Sequence, residues 1–365
     1  MKNKILFAVK NMNVGGVEKS LLSLLNTMDQ EQYEVDLLLL EDFGGFMTEI
    51  PGCVNVIICK EYAAIKDAVN LPPIVVIKNY IQRKEFSKAV QLFFGYLRAK
   101  STGHYELYYQ AVFRDFPVLE KHYDVAIAYT SIISYLTWLV NYHVKADKRI
   151  GWIHFDISKL FVDHNFMRFL HQDMERIYVV SKDALDAFTA EFPELKEKCE
   201  LRYNVVDRAT ILRLAEEPSV CIREPDMKTI LTLGRLSTEK GQDIIPEVAA
   251  QLKSEGLRFK WYLIGDGSLR KIIEEKCIQY GIENNVVLLG TKINPYPYLR
   301  QADLYVQTSV HEGYCITLAE AKVFGMPIVS SEFAGAYEQL NGLTNSRIVE
   351  REVQALSEAV AKLIM

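Results

Sequence analysis

The chain has 365 residues, 49% of them hydrophobic and 24% charged, a balance that excludes a disordered or fibrous protein and leaves room for two domains with separate cores. A formal net charge of -5 argues against nucleic acid as the partner of the whole molecule. The six cysteines (Cys53, Cys59, Cys199, Cys221, Cys277, Cys315) are scattered with no C-x-x-C pair, so reduced thiols in a cytoplasmic protein are expected rather than a metal site or a disulfide scaffold.

Met1-Lys2-Asn3-Lys4 runs straight into the apolar stretch 5–9, which is too short for a signal-peptide core with its cleavage site. No run of about eighteen apolar residues follows, so no transmembrane helix is expected and any membrane contact is peripheral. Strand-like apolar runs then occur at 5–9, 35–40, 54–58, 125–129, 150–154, 177–180 and 201–206. A second series occupies 230–233, 261–264, 286–289, 304–307 and 328–330. Continuous apolar strands are covered on both faces, and the longer amphipathic stretches between them supply the cover. The β-α-β order predicts an α/β protein with two Rossmann-like, doubly wound parallel sheets. The charged, proline-marked stretch 208–227 is expected to link a first domain, 1–207, to a second, 228–365. Two such domains imply a central cleft, because open α/β sheets bind ligands outside the carboxyl ends of their strands.

Three groups of residues carry chemistry. Glu312-Gly313-Tyr314-Cys315-Ile316-Thr317-Leu318-Ala319-Glu320 follows the strand 304–307 and enters a helix that Gly325-Met326-Pro327 should stop. Its first amides, around Cys315 to Thr317, are donors at the positive end of a helix dipole, a seat for a diphosphate. Taken alone, the two acids read better as a solvated pair. Gly234-Arg235-Leu236-Ser237-Thr238-Glu239-Lys240-Gly241 closes the first strand of the second series and brings two cations to the sheet's carboxyl edge. Ile264-Gly265-Asp266-Gly267 lacks the third glycine of a dinucleotide fingerprint, Arg270 standing there, so a tight turn is expected.

In their order and spacing these residues resemble the family-4 retaining glycosyltransferases of GT-B fold. The resemblance rests on G-R-x(3)-E-K-G at 234–241, G-D-G at 265–267 and E-x(7)-E at 312–320. Gly15-Gly16-Val17-Glu18, Asn204 with Asp207, and the segment 331–338 add to it. It implies that Arg235 and Lys240 bind the donor diphosphate, that Glu312 contacts the donor sugar and that Glu320 holds the ribose. It also implies that the amides of Ile316 and Thr317 reach the phosphates, that Gly313, Tyr314 and Cys315 bind the donor, and that Thr291 and Lys292 lie near the base. Gly15 and Gly16 would approach the donor through backbone, and His154 would face its sugar; a turn and a core histidine are the plain alternatives. Implied too are a hexose or N-acetylhexosamine moved from a nucleotide-diphosphate sugar (UDP- first, GDP- second), retention of configuration, no metal and no other cofactor, and a glycan or lipid-linked acceptor in cell-surface polysaccharide synthesis. Cys315 stands where the family usually has Gly, and Val205 where Gly often follows Asn, which implies a differently shaped backbone near the donor. Many relatives continue past the position of Met365 with a final helix that crosses back to the first domain.

Between Lys78 and Lys100, six basic residues stand against the single acid Glu85, with Tyr80, Phe86, Phe93, Phe94 and Tyr96 interleaved. Such a segment either lies on an anionic membrane at the inner face or is a solvated helix with its aromatic side in the core. A nucleotide-sugar epimerase, a sugar phosphorylase and a non-catalytic nucleotide- or glycan-binding protein share the architecture; a nicotinamide oxidoreductase lacks its glycine fingerprint here.

Overall fold

The computed structural model describes residues 2–155, 157 and 163–364. The chain divides into two compact units, Met1–Tyr203 and Asn204–Met365.

In the first unit, β1 (Asn3–Val9), β2 (Tyr33–Leu39), β3 (Asn55–Ile58), β4 (Leu119–Ala128), β5 (Val144–Ile153), β6 (Arg176–Val179) and β7 (Cys199–Leu201) form one sheet in the order β3-β2-β1-β4-β5-β6-β7. Every pairing is parallel. The strands at its centre are buried throughout their carboxyl halves, as Leu6 to Val9 and Ala126 to Ala128 show. Chain order reverses between β1 and β4, and the loops leaving those two strands diverge there.

The second sheet is built from β8 (Lys228–Leu233), β9 (Phe259–Ile264), β10 (Val286–Gly290), β11 (Leu304–Gln307), β12 (Ile328–Ser331) and β13 (Ser346–Val349), ordered β10-β9-β8-β11-β12-β13 and parallel throughout. Side-chain alternation feeds two cores. Ile230, Trp261, Leu263, Leu304 and Val306 enter one, while Leu231, Leu233, Tyr262, Ile264 and Tyr305 enter the other. The doubly wound α/β class predicted by the alternating pattern is the class observed, and its second switch point lies between β8 and β11.

Three local differences from the sequence expectation have physical causes. The strand expected at 201–206 is the short β7, Cys199–Leu201; it pairs only with β6, and the chain leaves the sheet after the Arg202 amide reaches the Val179 carbonyl at 2.8 Å. Serine, arginine and only two apolar residues hide β13, which is an edge strand needing little apolar surface. The stretch 208–227 is packed within the second unit: Asp207 caps the helix Arg208–Leu214 through the Thr210 amide (3.1 Å), and Ile211, Ala215 and Ile222 join its core.

Candidate active site

The loop after β8 begins at Gly234 (φ 151°) and lies on the turn after β9. Gly234 donates its amide to the Ile264 carbonyl (2.9 Å), Leu236 to that of Asp266 (3.1 Å), and Leu269 returns to that of Leu236 (3.1 Å). A β-carbon at Gly265 would lie 1.9 Å from the Gly234 oxygen, and one at Gly267 would lie 2.3 Å from that of Leu236. Gly265-Asp266-Gly267 is thus a tight turn on which the Arg235 loop rests. The buried Gln242 side chain finishes the loop: its Nε2 donates to the Arg235 carbonyl (2.8 Å), and its Oε1 accepts the Ser237 amide (3.3 Å). Arg235 itself is exposed and makes no ion pair among the described residues.

The loop after β11 meets this one. Lys240 Nζ donates to Glu312 Oε1 at 2.5 Å, and Ser309 Oγ donates to the same oxygen at 2.7 Å. Burial disfavours the lysine's charge, but the Glu312 carboxylate outweighs it and holds the Lys240 pKa above the ordinary lysine value. Ser309 is in turn fixed by Gln307 Nε2 (2.6 Å) and by Ser331, whose hydroxyl donates to the Ser309 carbonyl (2.6 Å). Tyr305 and Thr317 both donate to Gln307 Oε1, at 2.6 and 3.3 Å. Arg351 ties the two loops from behind, donating to the carbonyls of Thr308 (3.1 Å) and Gly241 (2.9 Å) and to Asp243 Oδ1 (2.7 Å).

Glu312 and Lys240 therefore stand at the entrance to the helix Ile316–Val323. Its internal bonds start with the Leu318 and Ala319 amides on the Cys315 carbonyl, so the Ile316 and Thr317 amides have no intrahelical acceptor. Cys315 precedes the helix in the left-handed region (φ 59°, ψ 74°) and is buried. Burial, with Glu312 nearby, pushes its thiol up to about 12, so it stays protonated. Gly313 and Tyr314 are half-buried, and Gln339 Nε2 holds the Tyr314 and Cys315 carbonyls. Gly325 (φ 69°) stops the helix at the position its sequence predicts.

Glu320 lies on the buried side of this helix, 2% exposed, where the Tyr296 hydroxyl donates to its Oε1 at 2.8 Å. Burial and the adjacent carboxylate raise the Tyr296 pKa far above the usual phenol value. Thr291 is exposed just beyond β10, and Lys292 Nζ sits 6.0 Å from the centre of the Tyr298 ring. In the second unit the structure thus joins Lys240 directly to Glu312 and links Thr317 to them through Gln307 and Ser309. Arg235 stands on the loop after β8 and Thr291 and Lys292 just past β10, at the same carboxyl edge with β9 between them, and Glu320 stands one turn further along the helix than Thr317.

The remaining residues belong to the first unit. Gly15 (φ -151°) is the N-cap of the helix Gly16–Thr27, and Gly16 is its exposed first residue. His154 is buried just past β5, its ring 4.6 Å from that of Tyr129 and nearly parallel to Trp152 at 6.0 Å. Among the described residues no three His, Cys, Asp or Glu side chains form a group able to hold a metal.

Sequence reasoning missed Gln242, Tyr296, Ser309 and Arg351. Tyr296 and Arg351 reach the site through contacts that no short motif encodes. Ser309, three residues before Glu312, and Gln242, next to Gly241 and bonded back to Arg235 and Ser237, lay within reach of a local argument.

Residues 219–365 match the sequence model of the family "Glycosyl transferases group 1". A 173-residue stretch is 27% identical to N-acetylgalactosamine-N,N'-diacetylbacillosaminyl-diphospho-undecaprenol 4-alpha-N-acetylgalactosaminyltransferase of Campylobacter jejuni, covering 47% of this chain and 46% of that one. The putative glycosyltransferase EpsF of Bacillus subtilis is 30% identical over 131 residues, 36% of this chain and 34% of its own. The chain spans less than half the length of these curated relatives. Over 99% of its length it resembles HepE of Anabaena, solved with UDP-glucose, at TM-score 0.66 and 18% identity, covering 89% of that chain. It likewise resembles a mutant of TarM of S. aureus, solved with Fondaparinux, alpha-GlcNAc-glycerol and UDP, at TM-score 0.68 and 13% identity, covering 92% of that chain. Residues 219–365 thus carry the sequence of the group 1 glycosyl transferases, on a chain whose two doubly wound parallel-sheet units have the GT-B type of fold.

Proposed function

We propose that the protein is a retaining, metal-independent glycosyltransferase that moves a hexose or N-acetylhexosamine from a UDP-sugar to a glycan or lipid-linked acceptor in cell-surface polysaccharide synthesis, working at the inner face of a membrane. The observation that carries it is the Lys240–Glu312 pair, 2.5 Å apart at the switch point of the second sheet and at the start of the helix Ile316–Val323, within the group 1 segment. An N-terminal helix end with a preorganised cation is suited to a diphosphate, whose charge grows as the anomeric bond breaks. UDP-glucose in one of the similar solved structures and UDP in the other support the choice of nucleotide.

In this reading Arg235 and Lys240 neutralise the departing diphosphate and the amides of Ile316 and Thr317 share its charge, with Gly313, Tyr314 and Cys315 shaping the approach. Glu312 binds a donor-sugar hydroxyl through Oε2, since Lys240 and Ser309 both use Oε1. Glu320, steadied by Tyr296, takes the ribose, and Thr291 and Lys292 flank the base. Gly15, Gly16 and His154 serve the donor from the first unit. The acceptor hydroxyl attacks the anomeric carbon from the face the diphosphate leaves; the carbon–phosphate oxygen bond breaks, and the hydroxyl proton passes to the departing phosphate.

The test is to supply UDP- and GDP-sugars with and without lipid-linked and soluble glycan acceptors, in chelator, and to read the product by NMR. Acceptor-dependent transfer with retained configuration is expected. Sugar conversion without acceptor would mean an epimerase, and an inverted linkage would reject the mechanism.

A further inference from the structure

The helix Phe86–Thr102 carries two apolar rows where a domain helix needs one. Ala89, Leu92, Gly95 and Ala99 form the buried row, and a β-carbon at Gly95 would come within 2.6 Å of the Ala111 methyl on the helix Glu106–Val112, so this side is packed to backbone distance. Phe86, Val90, Phe93, Phe94 and Leu97 form the other, at helical spacing, and each is between 48 and 60% exposed. The preceding helix, Pro73–Gln82, does the same on a smaller scale with Ile74, Val75 and Ile81 exposed. Among the described residues, nine of the 25 exposed large hydrophobics fall between Leu71 and Leu97, too dense a cluster for scattered surface apolars.

Charge decides what covers these rows. At about 100° per residue, Arg98 and Lys100 flank the outer row of the second helix on opposite sides. Lys78 and Lys84 are exposed on and just after the first helix, and these four cations make no ion pair among the described residues. Arg83 and Lys88 are paired, with Asp67 (3.2 Å) and Glu85 (2.6 Å). A second copy of the chain would set this basic surface against itself. An anionic bilayer instead offers acyl chains to the aromatic rows and phosphates to the rim, with lysine stems spanning the two. No helix among the described residues is long and apolar enough to cross a membrane, so the contact lies in the interface plane.

We infer that the helix pair Pro73–Gln82 and Phe86–Thr102 inserts its two outward apolar rows into the headgroup boundary of an anionic membrane, held there by Lys78, Lys84, Arg98 and Lys100. This goes beyond charge attraction, and it is measured without donor or acceptor, so it stands or falls apart from sugar transfer. The native tryptophans Trp138, Trp152 and Trp261 are all buried, so an indole placed in the row reports alone. In Phe94→Trp, vesicles containing phosphatidylglycerol should shift the emission to the blue, and brominated acyl chains should quench it. Flotation with the same vesicles should fall roughly tenfold for each aromatic removed in Phe86→Ser, Phe93→Ser and Phe94→Ser. It should fall roughly fivefold for each of the four cations neutralised, and neutral phosphatidylcholine vesicles should bind weakly. An unquenched indole, or serine variants that float like wild type, would overturn insertion. So would a concentration-dependent dimer without lipid that the serine variants abolish, because a second copy would then be the cover.

Discussion

The loops at the two switch points are both braced by backbone, in the second unit by the Leu236 amide on the Asp266 carbonyl, and they differ in what side chains add. After β8 and β11 the second unit uses side chains on main chain: Gln242 on Arg235, Ser331 on Ser309, Arg351 on Gly241 and Thr308. On that scaffold it places a lysine against a carboxylate at 2.5 Å. After β1 in the first unit, the corresponding turn is braced by backbone: the Met12 amide donates to Phe43 and its carbonyl accepts from Phe46, and a β-carbon at Gly44 would strike that carbonyl at 2.0 Å. Around His154 the surroundings are the aromatic rings of Tyr129 and Trp152. Fixed charge needs a polar scaffold that pins each group, because a loose cation stabilises a developing anion poorly. A surface proposed to meet lipid has no such need, and there the first unit spends its side chains on an exposed apolar helix pair.

The comparison breaks most visibly at Lys240. Lys240→Ala should lower turnover by about 10²–10³ with vesicle flotation unchanged, whereas Phe93→Ser should do the reverse on a soluble acceptor. Equal loss in both assays for either variant would erase the division of labour.

Acid should tell the units apart next. His171 is fully buried in the first unit, donates from Nδ1 to the Met167 carbonyl at 2.9 Å and has no partner for Nε2 among the described residues. Burial pushes its pKa down from 6.5 to about 4, with the Met167 carbonyl opposing. Below pH 6.5 the unfolded chain binds the proton and the folded chain does not, so stability falls as pH drops from 6.5 to about 4. The loss should total about 3 kcal/mol. The melting temperature of His171→Phe should be flatter over that window; an equal slope would exclude His171 as the cause.

In the second unit, Tyr296→Phe strips a buried carboxylate of a donor and should cost about 1–3 kcal/mol of stability. Nucleotide affinity should fall with it, while flotation should not. The smallest change is a gain. Cys315 holds a conformation that costs a residue with a β-carbon about 1–2 kcal/mol, so Cys315→Gly should raise stability by about 1 kcal/mol in denaturant unfolding. A loss would mean that thiol packing outweighs the strain.

Both sheets were legible because parallel strands buried on two faces are short apolar runs that stand out between amphipathic helices. Of the four edge strands, β3 and β10 were legible as apolar runs, whereas β7 was misplaced and β13 missed, since a strand paired on one side only needs few apolar residues. That Lys240 and Glu312 share one carboxyl edge follows from the parallel order of β8 and β11, but their direct pairing does not, because loops at a switch point leave in opposite directions. The left-handed Cys315 was visible as a departure from glycine, although its angle was not. The Arg351 brace was invisible for a geometric reason. Arg351 lies 110 residues from Gly241 in sequence, and only the placement of β13 brings it behind the loop. The outward row on Phe86–Thr102 has helical spacing, but no pattern tells which of two apolar faces a domain will bury.

Isothermal titration of UDP and GDP into the wild type and into a folded Arg235→Gln/Lys240→Gln variant most directly tests whether the second unit seats a diphosphate. Wild type should bind, with the two cations together contributing about tenfold or more in affinity. Identical binding constants for the two proteins, at equal melting temperatures, would contradict that seat.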